Sequence, residues 1–91
     1  MMAKNPIETG VNTGIDEKAM LRLAIIAELD ATSLYKQMAA NTKDSRLKTI
    51  FLDVAKEEKT HVGEVTALLE ILDLEQKAET ENGKKEVEDK I

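Results

Sequence analysis

Residues 47–72 of the chain read LKTIFLDVAKEEKTHVGEVTALLEIL. They contain a row of side chains at alternating steps of four and three residues. The members of this row are Leu47, Phe51, Val54, Glu58, His61, Val65, Leu68 and Leu72. Such spacing brings side chains to one face of an α-helix and is typical of the inward-facing positions of a helical bundle. The sequence therefore predicts a helix here that packs against other helices.

Two members of this row are polar and stand together at its centre. Glu58 and His61 form a Glu-x-x-His pair, and side chains three residues apart project from the same face of a helix. A carboxylate in an apolar interior is strongly disfavoured unless it is paired or binds a cation. The pair alone is weak evidence, because Glu-x-x-His also occurs by chance and a lone histidine is more often exposed or hydrogen-bonded. Glu57, Lys59 and Glu64 are interpreted as surface residues of the same helix.

A short polar break separates this helix from an earlier helix in the chain. Asp16 or Thr13 can cap the first helix, which is predicted to run to about Ala40. Residues 41–44 form the break, and Asp44 can cap the second helix. A connection this short predicts an antiparallel hairpin of two helices.

The first helix has a matching row with one carboxylate in it. Its members are Leu21, Ile25, Glu28, Thr32, Tyr35 and Ala39. Glu28 lies about 15 residues before the centre of the turn and Glu58 about 15 after it, so equal rise per residue puts them at the same height. His61 lies about one turn further along. Three potential ligands therefore converge inside the predicted bundle.

These three side chains indicate a metal site. Two carboxylates at one level repel each other unless a cation lies between them. Carboxylate and imidazole ligands suit iron, manganese or zinc. Tyr35 lies two turns beyond Glu28 on the same row, towards the turn, where its hydroxyl could hydrogen-bond a ligand or its ring could simply pack.

The ligand count and the apolar surface both predict a dimer. The first helix is apolar around most of its circumference, which a single hairpin cannot bury. Carboxylate di-iron bundles use a glutamate from each of two helices and Glu-x-x-His from each of two others. This chain supplies one of each, so a two-fold dimer provides four carboxylates and two histidines. The predicted fold is all-α: an antiparallel two-helix hairpin that forms a ferritin-like four-helix bundle by dimerisation.

Composition narrows the possible functions further. The net charge of −5 over 91 residues argues against nucleic acid or an anionic membrane surface as a partner. The chain has no cysteine, which excludes disulfides, thiolate zinc sites and iron–sulfur clusters. Residues 1–15 contain no apolar segment of the signal-peptide type, so cytoplasmic synthesis is expected. These residues are interpreted as a flexible lead-in, residues 16–75 as the hairpin, and residues 76–91 as a charged tail or linker.

Residues 20–75 resemble the encapsulated ferritins, short ferritin-like proteins stored inside encapsulin shells or fused to them. The likeness lies in LAIIAELDA at 23–31, Leu34-Tyr35 and VAKEEKTHV at 54–62. It implies a ferroxidase with a di-iron centre at a two-fold interface, in which Glu28 and His61 bind iron, Glu58 bridges the two metals and Tyr35 lies beside them. It also implies a homodimer, a ring-shaped higher oligomer of the decamer-of-dimers type, and an encapsulin nanocompartment that receives the oxidised iron.

The sequence allows alternatives for the role of residues 76–91 and for the exact activity. Residues 76–91 contain no recognisable shell-targeting peptide, so they are either a divergent docking signal or the end of the front part of a fusion. A rubrerythrin-like di-iron peroxidase is a second possible enzyme, although the absence of cysteine removes the usual electron relay within the chain. A metal-free structural hairpin, in which Glu58 and His61 pair across an interface, is a third possibility.

Overall fold

The computed structural model describes residues 16–91, which form three α-helices. Helix α1 spans Glu17–Asn41, α2 spans Ser45–Leu72 and α3 spans Leu74–Lys90. The predicted lead-in, residues 1–15, lies outside the described residues. None of the three helices has an apolar stretch long enough to cross a bilayer.

The two long helices begin where the sequence predicts. Asp16 caps α1, since its carboxylate accepts a hydrogen bond of 2.8 Å from the amide of Ala19. Asp44 caps α2 in the same way, accepting from the amide of Arg46 at 2.8 Å. The Arg46 side chain also donates to Asp44 and thereby holds the pKa of this carboxyl below its usual value. Because each carboxylate satisfies an amide that the first turn leaves unpaired, both helix starts are encoded locally.

Helices α1 and α2 pack side by side as the predicted antiparallel hairpin. The buried side chains of this hairpin are few and small, apart from one leucine: Thr32, Ala39, Ala55 and Leu69. All six members of the predicted row on α1 are buried or half-buried. The all-α hairpin fold is therefore confirmed, and Glu28 lies on the side of α1 that faces α2.

A single hairpin leaves much apolar surface uncovered. On α1 and α2 the exposed large side chains are Met20, Ile26, Leu29, Leu34, Leu47, Ile50, Leu52, Leu68, Ile71 and Leu72. Three members of the predicted α2 row, Leu47, Leu68 and Leu72, are among them, whereas Phe51, Val54 and Val65 are half-buried. The row therefore runs along the edge of the hairpin, partly against α1 and partly towards open solvent.

The end of the chain differs from the expectation. The sequence predicts that the second helix continues through Asp73 or as far as Ala78, and that the charged tail after it is a fraying helix end, a linker or a docking peptide. In the structure α2 ends at Leu72, and a separate helix follows after Asp73. This helix is stabilised by its cap and by pairs along its own surface, such as Lys84–Glu81 at 3.1 Å and Gln76–Thr80 at 3.0 Å. Local polar pairs do not produce an apolar period, so the pattern gave no sign of α3.

We expect removal of residues 79–91 to leave the α1–α2 hairpin folded. Helix α3 buries none of its residues, and its backbone lies away from that of α1, so little apolar burial is lost. Circular dichroism of the truncated chain should show a loss of helix in proportion to the residues removed, with the melting transition retained. A collapse of helicity beyond that proportion would show that the tail belongs to the folding unit.

Candidate metal centre

The structure brings together the three predicted ligands from two helices. Glu28 lies in the middle of α1, and Glu58 and His61 lie one turn apart in the middle of α2. One ligand atom from each residue lies within 4.8 Å of the other two. The equal height that the turn position predicts for Glu28 and Glu58 is thus observed.

The histidine lies between the two carboxylates. His61 Nδ1 is 3.3 Å from Glu28 Oε2 and 3.5 Å from Glu58 Oε2. The three donor atoms therefore lie close enough together to bind a single cation. The same contacts are those of a histidine hydrogen-bonded by two acids, which is the metal-free alternative.

The cluster is sheltered on one side and open on the other. The side chains of Glu58 and Glu28 are 19% and 26% exposed, whereas that of His61 is 46% exposed. A metal bound by these three residues alone would have open coordination positions on the exposed side. Those positions can be occupied by water, by substrate or by ligands from another molecule.

Buried neighbours on α1 support the Glu28 position. The hydroxyl of Thr32 donates a 2.8 Å hydrogen bond to the main-chain carbonyl of Glu28, which satisfies a hydroxyl that would otherwise be unpaired in the core. The ring of Tyr35, one turn further on, packs against Phe51 with centroids 6.0 Å apart and planes tilted by 51°. This tilted arrangement is a favourable aromatic contact.

The α2 residues that the sequence places at the surface are exposed, and Tyr35 packs against Phe51. Glu57, Lys59 and Glu64 are exposed, as expected for surface residues. Tyr35 is half-buried, and in residues 16–91 its hydroxyl makes no hydrogen bond to Glu28, Glu58 or His61. Packing is therefore the contact that Tyr35 makes in a single chain, and its predicted catalytic role stays a prediction. Glu28, Glu58 and His61 are also the one converging group of metal-ligand side chains among the described residues.

Comparison with known proteins gives one family and one closely similar solved structure. Residues 19–91 match the family described as Rubrerythrin. The crystal structure of the encapsulated ferritin domain from Pyrococcus furiosus superposes with a TM-score of 0.82 and is 46% identical in sequence. That match covers 98% of this chain and 94% of the solved domain.

Two curated relatives match over most of this chain. A ferritin-like–encapsulin shell fusion protein of Pyrococcus furiosus is 57% identical over 70 residues, which is 77% of this chain. The encapsulin nanocompartment cargo protein EncB of Myxococcus xanthus is 31% identical over 62 residues, or 68% of this chain. The chain spans only 20% of the length of the first relative and 39% of the second.

Proposed function

The chain belongs to the rubrerythrin family, and from this premise we propose that it oxidises Fe(II) to Fe(III) at a di-iron site shared between two copies. Its resemblance to the encapsulated ferritins is confirmed by the solved domain, which matches it over nearly its whole length. The observation that carries the proposal is the convergence of Glu28, Glu58 and His61 within 4.8 Å.

The donor set supports iron as the substrate. Carboxylate oxygens and one imidazole nitrogen are ligands that accommodate both Fe(II) and Fe(III), and the two carboxylates favour the higher charge. Without a cation, the two acids of one chain are held close to each other by the packing of α1 on α2. Two ionised carboxylates this close repel each other. A bound divalent ion offsets this repulsion, so metal binding is electrostatically favourable here.

The open edge of the hairpin supports a second copy. One chain offers two carboxylates and one histidine, whereas ferritin-like di-iron bundles use four carboxylates and two histidines. The exposed leucines Leu47, Leu68 and Leu72 lie in the same row as His61 and on the same edge. A two-fold partner placed on this edge covers the leucines and brings a second set of ligands to the first.

The chemistry needs little from the protein beyond geometry. Two Fe(II) ions each give one electron to a single molecule of O2, which takes up two protons and leaves as hydrogen peroxide. We propose that Glu28 and His61 bind iron, with one iron for each chain of the dimer. Glu58 is proposed as the carboxylate that bridges the two irons. Tyr35 is proposed to lie beside the pair. The protein thus holds the irons at a fixed separation and limits access of water from the buried side.

The two curated relatives favour an encapsulin compartment as the place where Fe(III) is stored. One is a fusion to an encapsulin shell protein and another is a cargo protein of an encapsulin nanocompartment. We propose that this chain works inside such a compartment, as a homodimer within a ring-shaped oligomer, and passes Fe(III) to the shell interior.

The two alternative functions would differ from a ferroxidase in their reactivity or in their metal content. A rubrerythrin-like peroxidase would use the same di-iron site but react faster with hydrogen peroxide than with O2. A structural hairpin would keep His61 paired with Glu58, which lies 3.5 Å away in this structure, and would bind no metal. The convergence of three ligand-type side chains on one point favours the metal site over the structural pair.

We expect the purified oligomer to bind about one Fe(II) per chain at this site, since each dimer completes one pair of iron positions. Anaerobic titration with Fe(II), followed by exposure to air, should produce Fe(III) absorbance that saturates at this ratio. Anomalous scattering from crystals soaked in Fe(II) separates this site from iron bound to the acidic surface.

The titration also separates the three functions. A ratio near zero in metal-clean, iron-replete conditions would establish the structural hairpin. A site that fills with iron but turns over much faster with hydrogen peroxide than with O2 would establish the peroxidase. Oxidation by O2 at two irons per dimer is the result that the ferroxidase requires.

A further inference from the structure

We infer that the ion pair between Arg22 and Asp73 sets the direction in which α3 leaves the hairpin. Asp73 is the single non-helical residue between α2 and α3, with φ of −123° and ψ of 90°. A corner made by one residue has only two free backbone torsions, so any contact that holds Asp73 also orients the helix that follows.

Every polar group of Asp73 has a partner. Its amide donates to the carbonyl of Leu69 at 2.7 Å, and its carbonyl accepts from the amide of Lys77 at 3.2 Å. One carboxylate oxygen accepts from the amide of Gln76 at 3.0 Å, which caps α3. The other lies 3.8 Å from a guanidinium nitrogen of Arg22. Only this last contact connects the corner to α1, because the other three partners lie within four residues of Asp73.

Packing alone does not hold α3 in place. Helix α2, with 28 residues, is about 42 Å long at 1.5 Å per residue. The described molecule measures 45 × 44 × 19 Å, so α3 must extend sideways from the hairpin to account for the second long dimension. Its backbone lies close to α2, which it follows, and away from the backbone of α1.

The exposed fractions of Asp73 and Leu74 indicate that polar contacts, and not apolar burial, orient this corner. The Asp73 side chain is 22% exposed, whereas the neighbouring Leu74 is 72% exposed. Apolar burial alone would favour the opposite orientation, with the leucine inside and the carboxylate in water. The cap to Gln76 and the pair with Arg22 account for the inward carboxylate.

The cap and the ion pair have separable effects. The cap fixes the first turn of α3 relative to Asp73, whichever way the helix then points. The ion pair fixes Asp73 relative to α1. Pairs as exposed as this one contribute little to global stability. Within a single chain, however, no residue of α3 is buried against the hairpin, so a small contribution is enough to select a direction.

Electron–electron distance measurements on a spin-labelled chain test this inference. Because the chain has no cysteine, labels can be attached at Lys43→Cys in the turn and Lys85→Cys on α3. Mixing with excess unlabelled chain removes distances between copies. We expect one dominant distance for the otherwise unchanged chain. Arg22→Gln or Asp73→Asn should lower the ratio of this distance to all others by about two- to five-fold, as expected for loss of an exposed ion pair.

The controls distinguish the ion pair from the cap and from unfolding. Asp73→Asn retains a side chain that can cap α3, and Arg22→Gln leaves the cap untouched. The double variant should match either single variant. One molar NaCl should reproduce their effect in the unsubstituted chain. Labels at Lys43→Cys and Glu64→Cys, both in the hairpin, should keep their distance throughout. The inference is wrong if Arg22→Gln leaves the α3 distance distribution unchanged, or if only a cap-deficient variant, Asp73→Ala, alters it.

Discussion

Replacement of His61 by alanine is expected to lower the initial rate of Fe(II) oxidation by about 100-fold or more, while the far-ultraviolet circular dichroism stays close to that of the unsubstituted chain. The effect is large because this side chain is the one histidine that each chain offers to the site, and even residues that merely orient a ligand alter metal affinity by about 10- to 100-fold. The fold is spared because this side chain is nearly half exposed and buries little apolar area.

Glu58→Ala should impair oxidation to a similar degree for a different reason. Glu58 is the proposed bridge, so its loss uncouples the two irons as well as removing a ligand. It also removes one of two neighbouring carboxylates. We therefore expect the metal-free variant to melt at the same temperature as the unsubstituted chain or above it. Stopped-flow absorbance after mixing with Fe(II) in air, together with thermal melts of metal-free protein, measures both effects.

Glu64→Ala provides the matched control. Glu64 is an exposed carboxylate on the same helix, one turn beyond His61, and should behave like the unsubstituted chain. Unchanged oxidation with a sharply lowered melting temperature in the His61 and Glu58 variants would identify a structural pair. Equal damage from Glu64→Ala would mean that a different face of α2 carries the site.

The substitution Leu68→Glu is expected to abolish iron oxidation although every proposed ligand is retained. Leu68 is 53% exposed in the single chain and lies two turns beyond His61 on the edge proposed to meet the second copy. In a two-fold interface each substitution occurs twice, so two carboxylates would be buried against apolar surface. A penalty of about 3 kcal/mol raises the dimer dissociation constant by more than about 100-fold.

The oligomeric state and the activity should be lost together in Leu68→Glu. Sedimentation velocity should show folded species smaller than the oligomer of the unsubstituted chain, and Fe(II) in air should be oxidised no faster than in buffer. Leu52→Glu is the control, because Leu52 is similarly exposed on the same helix but lies roughly 160° around it from Leu68 at 100° per residue. A monomeric Leu68→Glu variant that still oxidises iron at the full rate would show that one chain suffices.

The sequence by itself determined the hairpin and the residues that converge in it. Apolar side chains at steps of four and three, together with Asp16 and Asp44 as caps, specify two helices through interactions within a few residues. The short break then forces the helices to run back along each other. Equal rise per residue places Glu28 opposite Glu58, so the ligand group could be predicted from the sequence.

Other features depend on contacts that no periodic pattern contains. Helix α3 is held by its cap and by polar pairs between close neighbours, and a charged sequence with such pairs looks the same as a solvated tail. Its break from α2 depends on Asp73, whose carboxylate reaches Arg22 some fifty residues earlier in the chain.

The tertiary structure also decided which members of the predicted row are covered. The rotation of α2 against α1 leaves Leu47, Leu68 and Leu72 exposed while Phe51 and Val65 are half-buried. It also places Nδ1 of His61, rather than its other ring nitrogen, between the two carboxylates. Spacing along a helix specifies a face only to within about one residue's rotation, and the packing of the second helix selects the orientation within that range.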